Sequence, residues 1–370
     1  MPFTTAKPLT TGTVECHLLC KQGMAIQRRQ AVALVTGAAG FIGSHVAAEL
    51  LARGFRVVGL DDLSGGFFQN IPKGMDFVRG SIMDRELIEQ LFRMEKFAYV
   101  FHFAAYAAEN LSHFIRTFNY QNNVLGSINL INASVNSKAV KCFVFASSAA
   151  VYGETASAAT EITSPRPADP YAIAKYAIEL DLQAAARLFK LPFIIYRFHN
   201  VYGEKQNIVD PYRNVIGIFM KQILQGIPLT VFGDGSQTRS FTHISEVAPV
   251  VAASVTHKGA LNQIFNLGSN RKTPVIELAK LVSNAMGEKA AMKFLPQRNE
   301  CHTVQCSHAK ARSMFGDLIQ SIGLEDGLNR MAKWVREAGI PESKPTFFDI
   351  EVTDQLPASW RKALKRRPAK

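Results

Sequence analysis

At 370 residues, with 47% hydrophobic and 19% charged side chains, the chain has core enough for one large or two modest folded domains and too little charge for disorder. No charge-free run of about 18 apolar residues occurs, which argues against a transmembrane helix, and five scattered cysteines fit a reducing, cytoplasmic setting rather than a disulfide framework. Residues 1–30 and 361–370 supply nine of the twelve net positive charges, which reads as solvated ends rather than a nucleic-acid-binding face.

Residues 1–30 lack apolar periodicity and a signal-type apolar core, and are read as a dispensable extension with Met24 as an alternative start. Then strands and helices alternate. Ala31–Thr36 is a short apolar run, Phe41–Ala52 has the spacing of an amphipathic helix, and Arg56–Leu60 is again strand-like. Tyr99–Phe103 and Lys141–Ala146 are further buried strands, with helical stretches between. The order predicts an α/β fold, a Rossmann-type doubly wound parallel sheet with helices on both faces. The boundaries are drawn at 31–197 for a dinucleotide-binding domain and 198–350 for a smaller C-terminal substrate-binding domain that sends a segment back to the main sheet. A basic tail, 351–370, follows. Cys301, His302, Cys306 and His308 lie close in sequence but at no common zinc spacing, so no metal site is predicted.

The first strand runs into Thr36-Gly37-Ala38-Ala39-Gly40-Phe41-Ile42-Gly43-Ser44-His45. Gly37 allows a tight turn, Gly40 a close backbone approach to a pyrophosphate, and Gly43 close helix–strand packing. The helix that follows offers free amides and the positive end of its dipole to phosphates. Asp61, at the end of the second strand, falls where a carboxylate would bind the adenosine ribose; it would repel a 2′-phosphate, which favours NAD over NADP.

Tyr171-Ala172-Ile173-Ala174-Lys175 sets a phenol and an ammonium four residues apart, hence on one helix face, with Pro170 suited to the helix start. A tyrosine with an ordinary pKa of about 10 is a poor base at neutral pH. Positive charge from Lys175 and an oxidised nicotinamide would favour the phenolate. Ser147 and Ser148 end the strand that begins near Lys141, at the edge where ligands bind such sheets.

In that order and spacing, the glycine segment, Ser147-Ser148-Ala149-Ala150-Val151-Tyr152-Gly153 and Tyr171–Lys175 resemble extended short-chain dehydrogenases/reductases, and among them NAD-dependent sugar-nucleotide epimerases, over about residues 31–340. The resemblance implies that Ser148 and Tyr171 flank the sugar 4-hydroxyl and that Lys175 binds the nicotinamide ribose. It further implies substrate contacts from Asn200, Arg239 and Arg298, the two arginines on the diphosphate. The NAD contacts would come from Gly37, Gly40, Phe41, Ile42, Gly43, Asp61, Ser81, Ile82, Phe103, Ala104 and Ala105, with Tyr171 and Lys175. Ser81 stands where these epimerases usually carry an aspartate, Ala107 where they often carry a lysine, and Val304 near the position that gates sugar size. The implied reaction is C4 inversion of a UDP-hexose by a homodimer. Dehydration, decarboxylation or net reduction on the same scaffold, or a non-catalytic NAD- or RNA-binding role, are the alternatives. Dehydratases carry an acidic pair where this chain has Ala149 and Ala150.

Overall fold

The computed structural model describes residues 30–297, 305–342, 348–357 and 360. In chain order the elements are β1 (Val32–Thr36), α1 (Phe41–Ala52), β2 (Arg56–Asp61), β3 (Asp76–Arg79), α2 (Arg85–Met94), β4 (Phe97–His102), α3 (Glu109–Ser112) and α4 (Arg116–Tyr120). There follow α5 (Gly126–Ser137), β5 (Cys142–Ser148), α6 (Pro170–Phe189), β6 (Phe193–Phe198), β7 (Asn200–Tyr202), α7 (Val215–Leu224), β8 (Leu229–Phe232), β9 (Thr238–Arg239) and β10 (Phe241–His243). The last are α8 (Ile244–Ser254), β11 (Gln263–Leu267), β12 (Thr273–Pro274), α9 (Val275–Ala285), β13 (Met292–Leu295), α10 (Ala309–Phe315) and α11 (Leu324–Ala338).

Seven strands form one sheet in the order β11-β6-β5-β4-β1-β2-β3, every neighbouring pair parallel. Its strands are runs of Val, Leu, Ile and Phe because both faces are covered. One face carries a core with α1, α8 and α10, among them Val46, Leu50, Val247, Val251 and Phe315. The other carries Ile88, Leu130, Ile178 and Leu182 from α2, α5 and α6. The strand order reverses between β1 and β4, and a crevice opens there at the carboxyl ends of the strands.

Helix α1 departs from the amphipathic pattern read from sequence. It lies between the sheet and α8, so Phe41, Ile42 and Leu51 pack against the same core as its inward residues. An apolar helix all round is a covered helix. A separate core of Phe219, Val231, Leu278 and Leu328 ties α7, β8, α9 and α11 into the second lobe. Between β10 and α9 the chain returns to the main sheet, where β11 pairs with β6 from Gln263↔Ile194 to Leu267↔Phe198.

Candidate active site

Gly37 ends β1 with φ +68°, a left-handed conformation, and a Cβ there would stand 2.8 Å from the Ala104 amide. A Cβ at Gly43 would collide with the Gly37 carbonyl, so this glycine lets α1 approach the backbone at the end of β1. Gly40 caps α1 with no side-chain bond, and no acid occupies the first turn. The helix start is therefore open to an anion. Asp61 is 9% exposed; its Oδ2 accepts from the Ala39 amide (3.0 Å) and its Oδ1 from the Leu63 amide (2.8 Å), which fixes the carboxylate beside the turn.

Helix α6 begins at Pro170, with the Asp169 carboxylate accepting from the Ala172 amide at 2.9 Å. This start aims Tyr171 and Lys175 inward; both are buried. Strand alternation sorts the two serines of β5. Ser147 Oγ donates to Glu179 Oε1 (2.5 Å), whereas Ser148 Oγ accepts from the Ala150 amide (3.1 Å) and lines the same cleft as the Tyr171 phenol. Lys175 Nζ donates to the Ala146 carbonyl (2.7 Å) and lies 4.9 Å from the Phe145 ring centre and 5.8 Å from that of Tyr171.

Burial governs both ionisable groups. It lowers Lys175 to about 7. It also pushes the Tyr171 phenol above its ordinary range, with the Glu109 charge adding to the rise and the Ser148 hydroxyl and Arg213 opposing it. Desolvation thus outweighs the charge effect expected of Lys175. Beneath the site His102 is buried between Thr36 Oγ1 (Nδ1, 2.7 Å) and Ser127 Oγ (Nε2, 2.8 Å). The Ser127 proton goes to the Asn123 carbonyl (2.7 Å), so Nε2 carries the histidine proton and Nδ1 accepts from Thr36. Burial and then the Lys175 charge bring this histidine down to about 3, so it is a neutral strut.

One cleft of about 720 Å³ joins these groups. It is lined by Gly37, Gly40, Phe41, Ile42, Gly43 and Asp61, and by Ser81 and Ile82. Phe103, Ala104, Ala105, Ser148, Tyr171 and Lys175 line it too, as do Asn200 and Arg239. Asn200 Nδ2 donates to the Ser240 carbonyl (3.2 Å), and Arg239 Nη1 donates to the Thr238 carbonyl (2.9 Å) where β9 pairs with β12. Arg298 and Val304 lie outside the described residues, as do Cys301 and His302; Cys306 and His308 are buried. Among the described residues no three His, Cys, Asp or Glu side chains converge as metal ligands, and no helix is long and apolar enough to cross a membrane. Glu109, Asp210, Arg213, Tyr212 and Trp360 also line the cleft. Sequence reasoning missed them, because only long-range folding brings them there.

A family model described as the NAD dependent epimerase/dehydratase family matches residues 33–268, more than half of the chain. The chain belongs to the NAD-dependent epimerase/dehydratase family. It is an enzyme of that family, with NAD as cofactor, and the left-handed Gly37 turn, the open start of α1 and the fixed Asp61 fit that dinucleotide. The chain is 32% identical over 312 residues to the UDP-glucose 4-epimerase of Mycolicibacterium smegmatis, covering 82% of this chain and 98% of that one. It is 33% identical to a Bos taurus dTDP-D-glucose 4,6-dehydratase, over 82% of this chain and 88% of that one. The crystal structure of Thermus thermophilus UDP-glucose 4-epimerase in complex with NAD matches at a TM-score of 0.78 and 32% identity, over 83% of this chain and all of that one.

Proposed function

We propose that this member of the family inverts C4 of a UDP-hexose through a 4-keto sugar. The observation that carries the proposal is the single cleft that brings Ser148, Tyr171 and Lys175 together with Gly37 and Asp61, with two alanines, Ala149 and Ala150, after the serine. Bound NAD supplies a reversible hydride acceptor. Residues 31–197 hold it: the Gly37–Gly43 turn at its pyrophosphate, Asp61 at its adenosine ribose, Ser81 and Ile82 near its adenine, Phe103–Ala105 along its length, and Lys175 at its nicotinamide ribose. Residues 198–350 hold the sugar nucleotide through Asn200, Arg239 and Arg298.

Tyr171 takes the proton of the sugar 4-hydroxyl while Ser148 donates a hydrogen bond to the same oxygen; on the return step Tyr171 gives the proton back. Removing the C5 proton needs an acid–base pair, and the alanines after Ser148 supply none, which favours epimerisation over the dehydratase relatives' reaction. The test is a panel of UDP-, GDP- and CDP-sugars with NAD, products resolved by NMR and NADH followed by absorbance. The expected result is a C4-inverted UDP-hexose without net NADH. A 4-keto-6-deoxy product, or stoichiometric NADH, would replace this reading.

A homodimer belongs to the same proposal. On α6, Ile173 (42% exposed), Leu180 (48%) and Leu188 (72%) form one outward apolar stripe with Ala184. A second copy of α6 covers it. Sedimentation velocity is expected to give a dimer that Leu180→Glu splits; a monomeric wild-type chain would refute it.

A further inference from the structure

Past the span matched by the family model, the chain comes back to the cleft. The amides of Glu351 and Val352 donate to the Phe114 carbonyl at 2.7 and 3.3 Å. The Glu351 carboxylate accepts from the amides of Thr117 (2.7 Å) and Phe118 (2.9 Å) in the first turn of α4. A carboxylate at a helix start is held by both amides and dipole, so this end of the chain is pinned beside the segment that follows β4.

The pin seats aromatic rings. Phe348 lies 4.9 Å from the ring of Tyr106 and 5.2 Å from that of Phe118. Trp360, 5% exposed, stands edge-on to Tyr212 (5.1 Å) and to Phe114 (6.0 Å). Tyr106, Tyr212 and Trp360 all line the cleft. The cluster sits beside the start of α6, since Asn119 Nδ2 on the same α4 donates to the Pro170 carbonyl (2.9 Å), next to Tyr171. The Arg213 guanidinium lies 4.8 Å from the Tyr106 ring centre, and its Nε donates to Asp210 Oδ2 (2.8 Å), which also accepts from the Tyr106 hydroxyl (3.3 Å). Arg213 and Tyr171 line the same cleft.

We propose that residues 348–357 and Trp360 form a wall of the hexose subsite, with Trp360 as a specificity-determining residue that, with Tyr106 and Tyr212, limits the sugars that enter. This rests on the sugar-nucleotide reading above. A pyranose offers C–H faces that bury well against aromatic rings, and hydroxyls that need polar partners at the rim, here Asp210 and Arg213. Each ring of the wall is backed by another segment of chain, so added sugar volume meets packed side chains rather than space.

The chain has two tryptophans, Trp334 and Trp360, and Trp334 packs in the separate core of the second lobe. In a Trp334→Phe protein the emission comes from Trp360 alone. UDP-glucose is expected to shift or quench it; UDP and NAD are not. Trp360→Ala is expected to raise the KM for UDP-glucose about tenfold, with the inhibition constant of UDP unchanged within about twofold. It is also expected to favour UDP-N-acetylglucosamine over UDP-glucose in kcat/KM relative to wild type, and Trp360→Phe should restore most of the difference. Turnover of UDP-glucose with unchanged Trp360 emission would overturn the inference while leaving the parent reading intact, and so would an unchanged KM in Trp360→Ala. Failure of any UDP-sugar to bind would end both. If Trp360→Ala does not fold, the emission measurement decides alone.

Discussion

Tyr171→Phe is expected to lower kcat by about 10²–10⁴-fold, the range for removing a positioned acid–base group, while NAD affinity stays within about twofold. The phenol is 7% exposed and lines the cleft with Ser148, so a phenyl ring keeps the packing and loses only the proton acceptor. Stopped-flow turnover and an NAD titration separate the two effects. Wild-type-like turnover would refute the role, and a matching loss of NAD affinity would mean that the substitution disturbs the cofactor site instead. The direction of the pH profile follows from the same burial. Only the ionised phenol accepts a proton, and burial lifts its pKa above the ordinary value. Activity should therefore rise toward alkaline pH until the fold fails. Lys175, lowered to about 7, gives up its proton over part of that range, so the rise should be shallower than a single ionisation.

What the sequence made legible is what local geometry dictates. Gly37 is readable because a strand-to-helix turn at φ +68° leaves no room for a side chain. Tyr171 and Lys175 are readable because a helix repeats every 3.6 residues. The serines were half legible: β5 runs on through Ser148, and only its alternation sends Ser147 to Glu179 and turns Ser148 away from it, to the Ala150 amide. Helix α1 looked amphipathic because sequence shows one helix at a time and not the α8 that covers it. The third strand, Asp76–Arg79, has exposed ends and a half-buried middle at the sheet edge, and little apolar signal to find. Glu109, Arg213 and Trp360 carry no local signature at all. Their place at the cleft depends on loops brought together over more than a hundred residues.

Glu179→Ala is expected to destabilise the fold by about 3–5 kcal/mol, the cost of leaving one partner of a buried ion pair unpaired. Glu179 is fully buried on α6, and Arg197 on β6 bonds it through Nη2 (2.6 Å) and Nε (3.0 Å). Arg197 Nη1 then donates to the Tyr152 hydroxyl (2.7 Å), which reaches Asn266 Oδ1 on β11 (2.8 Å). Removing the carboxylate strands the guanidinium, whose side chain is 3% exposed, and leaves Ser147 without its acceptor. Denaturant unfolding measures the loss, and a change below about 1 kcal/mol would show that water or a rearranged Arg197 replaces the carboxylate. The double replacement Glu179→Leu, Arg197→Met separates stability from function. Burying two apolar chains of similar volume should recover most of the stability. It should not recover activity, because Glu179 lies one turn beyond Lys175 and ties α6 to both β5 and β6 in the register that sets Tyr171 against Ser148. A stable double variant with normal kcat would mean that packing alone holds the helix, and that the ion pair has no share in positioning the phenol.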